Sequence, residues 1–236
     1  MFIQTHYSMV GGVIDHLTSS DGVNFYMADV AMRSKKDTFH AGIYDPQPAI
    51  INNKKYITYS AFNRKSHANI YLLESISNSW NGPWKHRGLI FSHNDILLQH
   101  NHHKSKNYEW GLEGSQLIQL PDNRIVLIGV CFLPSGEFGT RQRLFLATSN
   151  KIEGPYYLLC QASVNSTDEN ITENGHGGMV LINGVLNILF QGRSNLTKQP
   201  WRYYFAKVDI KEIGKINKFW FNIRKFIHTY YDRKNS

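Results

Sequence analysis

The chain is poor in cysteine: Cys131 and Cys160 are the only two among 236 residues. A disulfide-stapled scaffold is therefore excluded, and so is a Cys-rich zinc module. No run of 18 apolar residues occurs, so no membrane-spanning helix is read from the sequence. The start, MFIQTHYSMVGG, has no charged region followed by a continuous apolar core. No signal peptide is read, and a reducing, cytoplasmic setting is expected. Gly-rich phosphate loops of the P-loop or dinucleotide type are missing. The net charge of +8 comes with no nucleic-acid motif, so charge alone assigns no nucleic-acid partner.

What is present is an aromatic-rich globular chain, with 13% Phe, Tyr and Trp, 42% hydrophobic residues and 19% charged ones. It is long enough for one sizeable domain. Its organising stretch is Tyr108 to Phe132, where Glu113 stands at the mouth of an apolar strand that turns at Pro121-Asp122-Asn123 and returns as a β-branched run. Alone, Glu113 fits an ordinary strand-edge acid as well as an active-site acid. The surroundings, however, recur.

Asp45 opens YDPQPAIINNKKYITYSAF and His176 opens GHGGMVLINGVLNILFQGR, each in the manner of Glu113. In all three the polar residue lies four positions before the first apolar strand residue: Ala49, Leu117 and Val180. Each strand meets a turn rich in Asn and Gly and a second strand, and a third strand follows, starting near Ala68, Gln142 and Trp201. Two copies end alike, in NSWNGPW and NKIEGPY. Intervals of 68 and 63 residues holding three or four antiparallel strands read as β-propeller blades, so the fold class is all-β. The propeller domain is placed at 1–210, with a blade remnant at 1–26 and blades at 45–91, 113–162 and 176–210. That is about three and a half blades. First strands line a propeller's axis, so Asp45, Glu113 and His176 are expected to converge at one end of it, as an acid/base constellation. Pro46 is expected to hold Asp45 extended.

These pieces resemble the five-bladed β-propeller glycosidases of glycoside hydrolase family 43 and its relatives. The likeness rests on the Asp-Pro of YDPQPAI, the Glu-Gly of LEGSQL, the Gly-His-Gly of NGHGG and the Gly-Pro-aromatic blade ends, and it runs from Ser19 to Asp209. It implies a five-bladed propeller in which Glu113 is the general acid, Asp45 tunes and orients it, and His176 lies in the substrate pocket. It also implies inversion at the sugar carbon. Ser115 stands where the family usually has proline. The family's general-base Asp lies well over one blade upstream of the Asp-Pro pair, and only 44 residues precede Asp45, so no residue of this sequence is assigned to that role. Asp15, Asp21 and Asp29 are read as solvated acids of outer strands and turns.

Around this core, Trp110 is a candidate sugar platform, and Arg193 and Arg141 are candidate substrate-binding residues. No cofactor is expected. No metal is assigned either, because the spacing of His93, His100, His102 and His103 in an exposed loop matches no zinc pattern. Residues 27–42 read as a polar connector. Cys131 and Cys160 fall on the second and fourth strands of one sheet, about 10 Å apart and beyond the reach of a disulfide. Residues 211–236 are basic and aromatic, with Ile216, Phe219, Trp220, Ile223, Phe226 and Ile227 near helical spacing. They read as a helical tail docked on the propeller, or as an interfacial or oligomerising helix. The expected partner is an oligosaccharide or glycoside, with a homo-oligomer or another chain completing the propeller. The functions in view are a glycoside hydrolase, a carbohydrate-binding propeller that has lost its base, and a related phosphorylase in which Arg141, Arg193 and His176 hold phosphate.

Overall fold

A computed structural model describes residues 1–5, 12–34, 42–62, 68–95, 111–134, 140–161, 173–193 and 200–209. The tail 211–236, Trp110, and His100, His102 and His103 fall outside these described residues. Among the described residues, fourteen strands form four antiparallel sheets, each a sequential meander. The first holds β1 (Phe2–Thr5), β2 (Val13–Thr18) and β3 (Tyr26–Arg33). The second holds β4 (Gly42–Ile51), β5 (Lys54–Phe62), β6 (Asn69–Ser75) and β7 (Trp84–Phe91). The third holds β8 (Leu112–Gln119), β9 (Ile125–Pro134), β10 (Thr140–Ser149) and β11 (Tyr157–Gln161). The fourth holds β12 (Glu173–Ile182), β13 (Val185–Arg193) and β14 (Arg202–Asp209). β3 is a strand where the sequence reads a polar connector. Among the described residues no helix is long and apolar enough to cross a membrane, which says nothing of spanning by strands.

Two hairpin turns are set by residues that tolerate positive φ. Asn52 and Asn53 sit at φ 50° and 60°, and Asn183 and Gly184 at 50° and 76°, as a two-residue turn matched to strand twist requires. The sheets stack face to face through three apolar layers. Phe2 and Ile14 meet Ile43, Ile57, Tyr59 and Tyr71 between the first and second sheets. Ile70, Leu72 and Phe91 meet Leu112, Leu127 and Phe145 between the second and third. Val126, Ile128 and Val130 meet Met179, Ile188, Phe190 and Tyr204 between the third and fourth. This stacking explains the patterns along the strands. Ile125 to Phe132 lacks alternation because apart from Gly129 its side chains serve one layer or the other, and every one is buried. β13 alternates because one face packs on the third sheet: Ile188 and Phe190 are buried there while Leu189, on the other face, is exposed among the described residues. On that outer face Val180, Ile182, Leu189 and Tyr203 are all exposed among the described residues.

Side-chain amides reinforce the stacking between first strands. Gln116 of β8 accepts from Met179 N at 2.7 Å and donates to Met179 O at 3.1 Å, in the manner of a strand partner. Gln119 accepts from Asn52 N at 2.7 Å and donates to the Asn52 side-chain oxygen at 2.5 Å. Cys131 and Cys160 lie on β9 and β11 with β10 between them. Cys131 is buried, and burial pushes its thiol up to about 12.

Candidate active site

The three first strands share an irregularity that positions the site. Each carries a bulge in which two residues oppose one: Asp45-Pro46 against Tyr59, Gly114-Ser115 against Gly129, and Gly175-His176 against Gln191. A bulge bends its strand and re-aims the side chains around it. The repeat is therefore real, but its register differs from the sequence reading. Asp45 is the first bulge residue, Glu113 precedes the bulge, and His176 is its second residue. The shift is visible further along: Ala49 and Leu117 are buried as expected, but Val180 is 53% exposed and Met179 takes the core position. Pro46 does not hold Asp45 extended. The bulge sets Asp45 at φ 51°, a left-handed conformation that Asp tolerates better than most residues.

Despite the unequal register, the three side chains meet. His176 Nε2 lies 3.4 Å from Asp45 Oδ2 and 3.6 Å from Glu113 Oε2. Asp45 Oδ2 also accepts a hydrogen bond from Gly114 N at 3.1 Å, so the acid of one sheet is fixed by the bulge of the next. Leu112 N donates to Ala68 O at 2.9 Å, which anchors β8 one residue before Glu113. Thr58 Oγ1 donates to Ser115 O at 2.9 Å, two residues beyond it. Gly114, at φ 57°, has a second reason to be glycine. A Cβ there would collide with the His176 ring, so the missing side chain admits a histidine of this chain.

The electrostatics follow from burial. Glu113 is the most enclosed of the three, with 17% of its side chain exposed against 43% for His176. Burial, aided by the charge of Asp45, pushes the Glu113 carboxyl up to about 7, against the opposing pull of His176 and a hydrogen bond from Tyr44. His176 is raised by its hydrogen bond to Asp45, which outweighs its own burial, and by the charges of Asp45 and Glu113. A neutral, proton-bearing carboxyl next to a carboxylate and an imidazole can donate a proton near neutral pH. One ligand atom from each of Asp45, Glu113 and His176 lies within 4.8 Å of the others, so the same set could hold a divalent cation.

The other candidates lie elsewhere or differ. Arg193 Nε donates to Glu173 Oε2 at 2.6 Å, and its guanidinium lies 4.5 Å over the Trp201 ring. Arg141 stands in β10 opposite Leu133, but its side chain is outside the described residues. Asp15 is not solvated: it is 3% exposed in β2. Asp21 is exposed and structural, accepting from Val23 N and Asn24 N, each at 2.8 Å. His93, read as part of an exposed loop, is buried, with its backbone N bonded to the Asn69 side chain at 2.7 Å. Sequence reasoning missed Tyr44, Glu173 and Trp201. Tyr44 could have been found as the hydroxyl next to the Asp-Pro pair, whereas Glu173 carried no signal beyond its nearness to His176.

Four stacked meanders, with a site at the ends of the first strands of three of them, make a propeller-type fold, and the sequence resemblance to propeller glycosidases is matched in three dimensions. A thermostable family-43 glycoside hydrolase superposes with a TM-score of 0.59 at 13% identity, over 88% of this chain and 68% of that one. An endo-arabinase from Bacteroides thetaiotaomicron gives 0.58 at 14%, over 89% and 75%. A β-1,2-mannobiose phosphorylase from Listeria innocua gives 0.58 at 15%, over 84% of this chain and 50% of that one. No family model matches the chain. No curated protein matches it in sequence. At these identities the likeness shows the fold.

Proposed function

We propose that this protein is a glycoside hydrolase-like propeller that cleaves a glycosidic bond with Glu113 as general acid. The observation that carries the reading is the meeting of Asp45, Glu113 and His176 from three sheets, with the most buried of them a carboxyl raised to about 7. Glu113 would protonate the departing sugar oxygen. Asp45 would keep that proton in place by its charge and by its bond to Gly114, and His176 would bind substrate through its exposed edge. Inversion requires about 6.5–9.5 Å between acid and base carboxyls. The Asp45 and Glu113 oxygens, within 4.8 Å of one another, are too close for that pairing. Asp45 is therefore the tuning residue, and the acid that activates water lies outside the trio. Among the described residues no further carboxylate joins the trio, which favours a second reading, a carbohydrate-binding propeller without its base.

The test separates leaving groups. On a natural oligosaccharide, Glu113→Gln should lower turnover by about 10²–10⁴, the usual range for losing a general acid. On an aryl glycoside, whose phenolate leaves without a proton, the loss should be much smaller. Equal losses on both would remove Glu113 from the acid role. Oligosaccharide binding in calorimetry with no turnover of any glycoside would replace the enzyme by the binding module.

A further inference from the structure

A second cluster sits beside the trio and is used by none of its steps. Glu173, the first residue of β12, is 2% exposed yet accepts a hydrogen bond on each carboxylate oxygen. Its Oε2 takes Arg193 Nε at 2.6 Å, and its Oε1 accepts from Gln142 N at 3.4 Å. Arg193 is 38% exposed, and its guanidinium carbon lies 4.5 Å from the centre of the Trp201 ring. Among the described residues its terminal amino groups have no partner, so the guanidinium is fixed in direction with donors to spare. Position 175 joins this cluster to the trio. A Cβ on Gly175 would lie 3.1 Å from Trp201 Cζ3 and 3.2 Å from Gln142 Oε1, so the indole edge reaches the backbone one residue before His176.

We infer that Arg193, backed by Glu173 and Trp201, forms a sugar subsite flanking the trio, and that this subsite selects an uncharged sugar over an anionic one. The inference rests on the proposed glycan-processing site and names its substrate class. An exposed guanidinium alone would favour a uronate or a phosphate, which it grips with two parallel donors. Here its charge is answered in place by Glu173. An anion docking on the free edge of Arg193 would gain attraction from the guanidinium and meet repulsion from Glu173. At the trio, Asp45 adds a further acidic group, and His176 faces it at 3.4 Å. The anion would also lose its hydration. A sugar hydroxyl loses far less hydration and can still accept from the spare N–H groups, so the compensated arginine works as a directional donor with little net charge. The same argument speaks against Arg193 as the anchor of an attacking phosphate.

The test is an array of neutral oligosaccharides and counterparts that differ only by oxidation of C6 to a carboxylate, probed with the full chain. The neutral member of the bound pair should bind at least about tenfold more tightly, a difference of ~1.4 kcal/mol. Glu173→Gln should uncover the arginine's charge and bring the oxidised member to within about threefold of its neutral counterpart. If that variant fails to fold, the Glu173→Gln/Arg193→Gln pair, which keeps an uncharged hydrogen-bonded couple, should weaken neutral binding about tenfold. Equal or tighter binding of the oxidised member by the unaltered protein would overturn the inference, as would an unchanged profile in the variants. Because the array reads binding, a protein that discriminates but hydrolyses nothing keeps this inference while losing the hydrolase reading. Turnover that depends on Glu113 without neutral preference sinks this inference alone. An array with no bound member removes both.

Discussion

Glu113 and Glu173 make an instructive pair. Both are glutamates with little exposed side chain at the same end of a first strand, β8 in one case and β12 in the other. Each lies beside a glycine-containing bulge through which a ring approaches: His176 at Gly114, and Trp201 at Gly175. They differ in the cation they meet. Glu173 has a guanidinium nitrogen at 2.6 Å, whereas Glu113 has only an imidazole at 3.6 Å and another carboxylate close by. A permanent positive charge at bonding distance fixes a carboxylate as a structural acceptor. A weaker cation and a neighbouring acid leave its proton available. Chemistry is therefore assigned by the partner and not by the glutamate.

The comparison can be broken at its glycines. Gly114→Ala puts a methyl group into the His176 ring at a position whose φ of 57° already disfavours alanine. The ring must leave Asp45 and Glu113, and displacement of catalytic groups by about 1 Å typically costs on the order of 10²-fold in rate. Gly175→Ala meets the edge of Trp201 and the end of Gln142, which are able to shift, so turnover should fall by only about a few-fold. Steady-state kinetics of the two variants on one glycoside measures both. Similar losses would mean that His176 contributes no more to the reaction than Trp201 does.

Much of this arrangement was legible in the sequence, and the parts that were not have a physical reason. Asp45, Glu113 and His176 could be gathered because propeller repetition turns equal spacing into proximity. Spacing cannot show a bulge, since one extra residue leaves composition and alternation nearly intact. The exposed Val180 and the left-handed Asp45 follow from that blindness. The sequence reads Asp15 and His93 as solvated because polar residues usually are, and burial depends on neighbouring sheets that lie far away in sequence. The Glu173–Arg193–Trp201 cluster was half seen: Arg193 was a candidate, but its partner is 20 residues earlier and its platform 8 residues later, with no motif linking them.

Stability against pH sharpens the same contrast without needing a substrate. Glu113 is raised from an ordinary 4.5 to about 7 on folding, so the folded state holds that proton more tightly than the unfolded chain. The stability this contributes is complete below about pH 4.5 and is lost as pH rises through about 7. The ceiling is on the order of 3 kcal/mol. His176, also raised, contributes in the same direction: its share is complete below 6.5 and fades as pH passes its folded value. Glu113→Gln has no proton to lose, so its Tm should decline less between pH 5 and pH 8 than that of the unaltered protein. Parallel Tm curves for the two would show that the Glu113 carboxyl is not raised.

The smallest expected effect separates the two amide clamps of β8, and it tests whether the trio is held by its own strand or by the sheet as a whole. Gln116 lies three residues after Glu113 and exchanges two hydrogen bonds with the backbone of Met179, itself three residues after His176. Gln119 makes an equally regular pair with Asn52, but at the far end of the strand, where that pair is exposed. Removing Gln116 leaves a partly buried backbone N–H and C=O unsatisfied, at about 1–2 kcal/mol, and frees β12 to slide relative to β8. Water replaces Gln119 readily, so Gln119→Ala should cost about 0.5 kcal/mol. The two variants should also differ in kind. Gln116→Ala should loosen His176 from its carboxylates and so shift the pH at which turnover falls, whereas Gln119→Ala should lower stability slightly and leave the pH profile unmoved. Gln116→Glu can still accept from Met179 N but repels Met179 O, so it should restore little. If both alanine variants lower stability equally and neither shifts the pH profile, the position of His176 is set by packing of the sheets and not by the Gln116 amide.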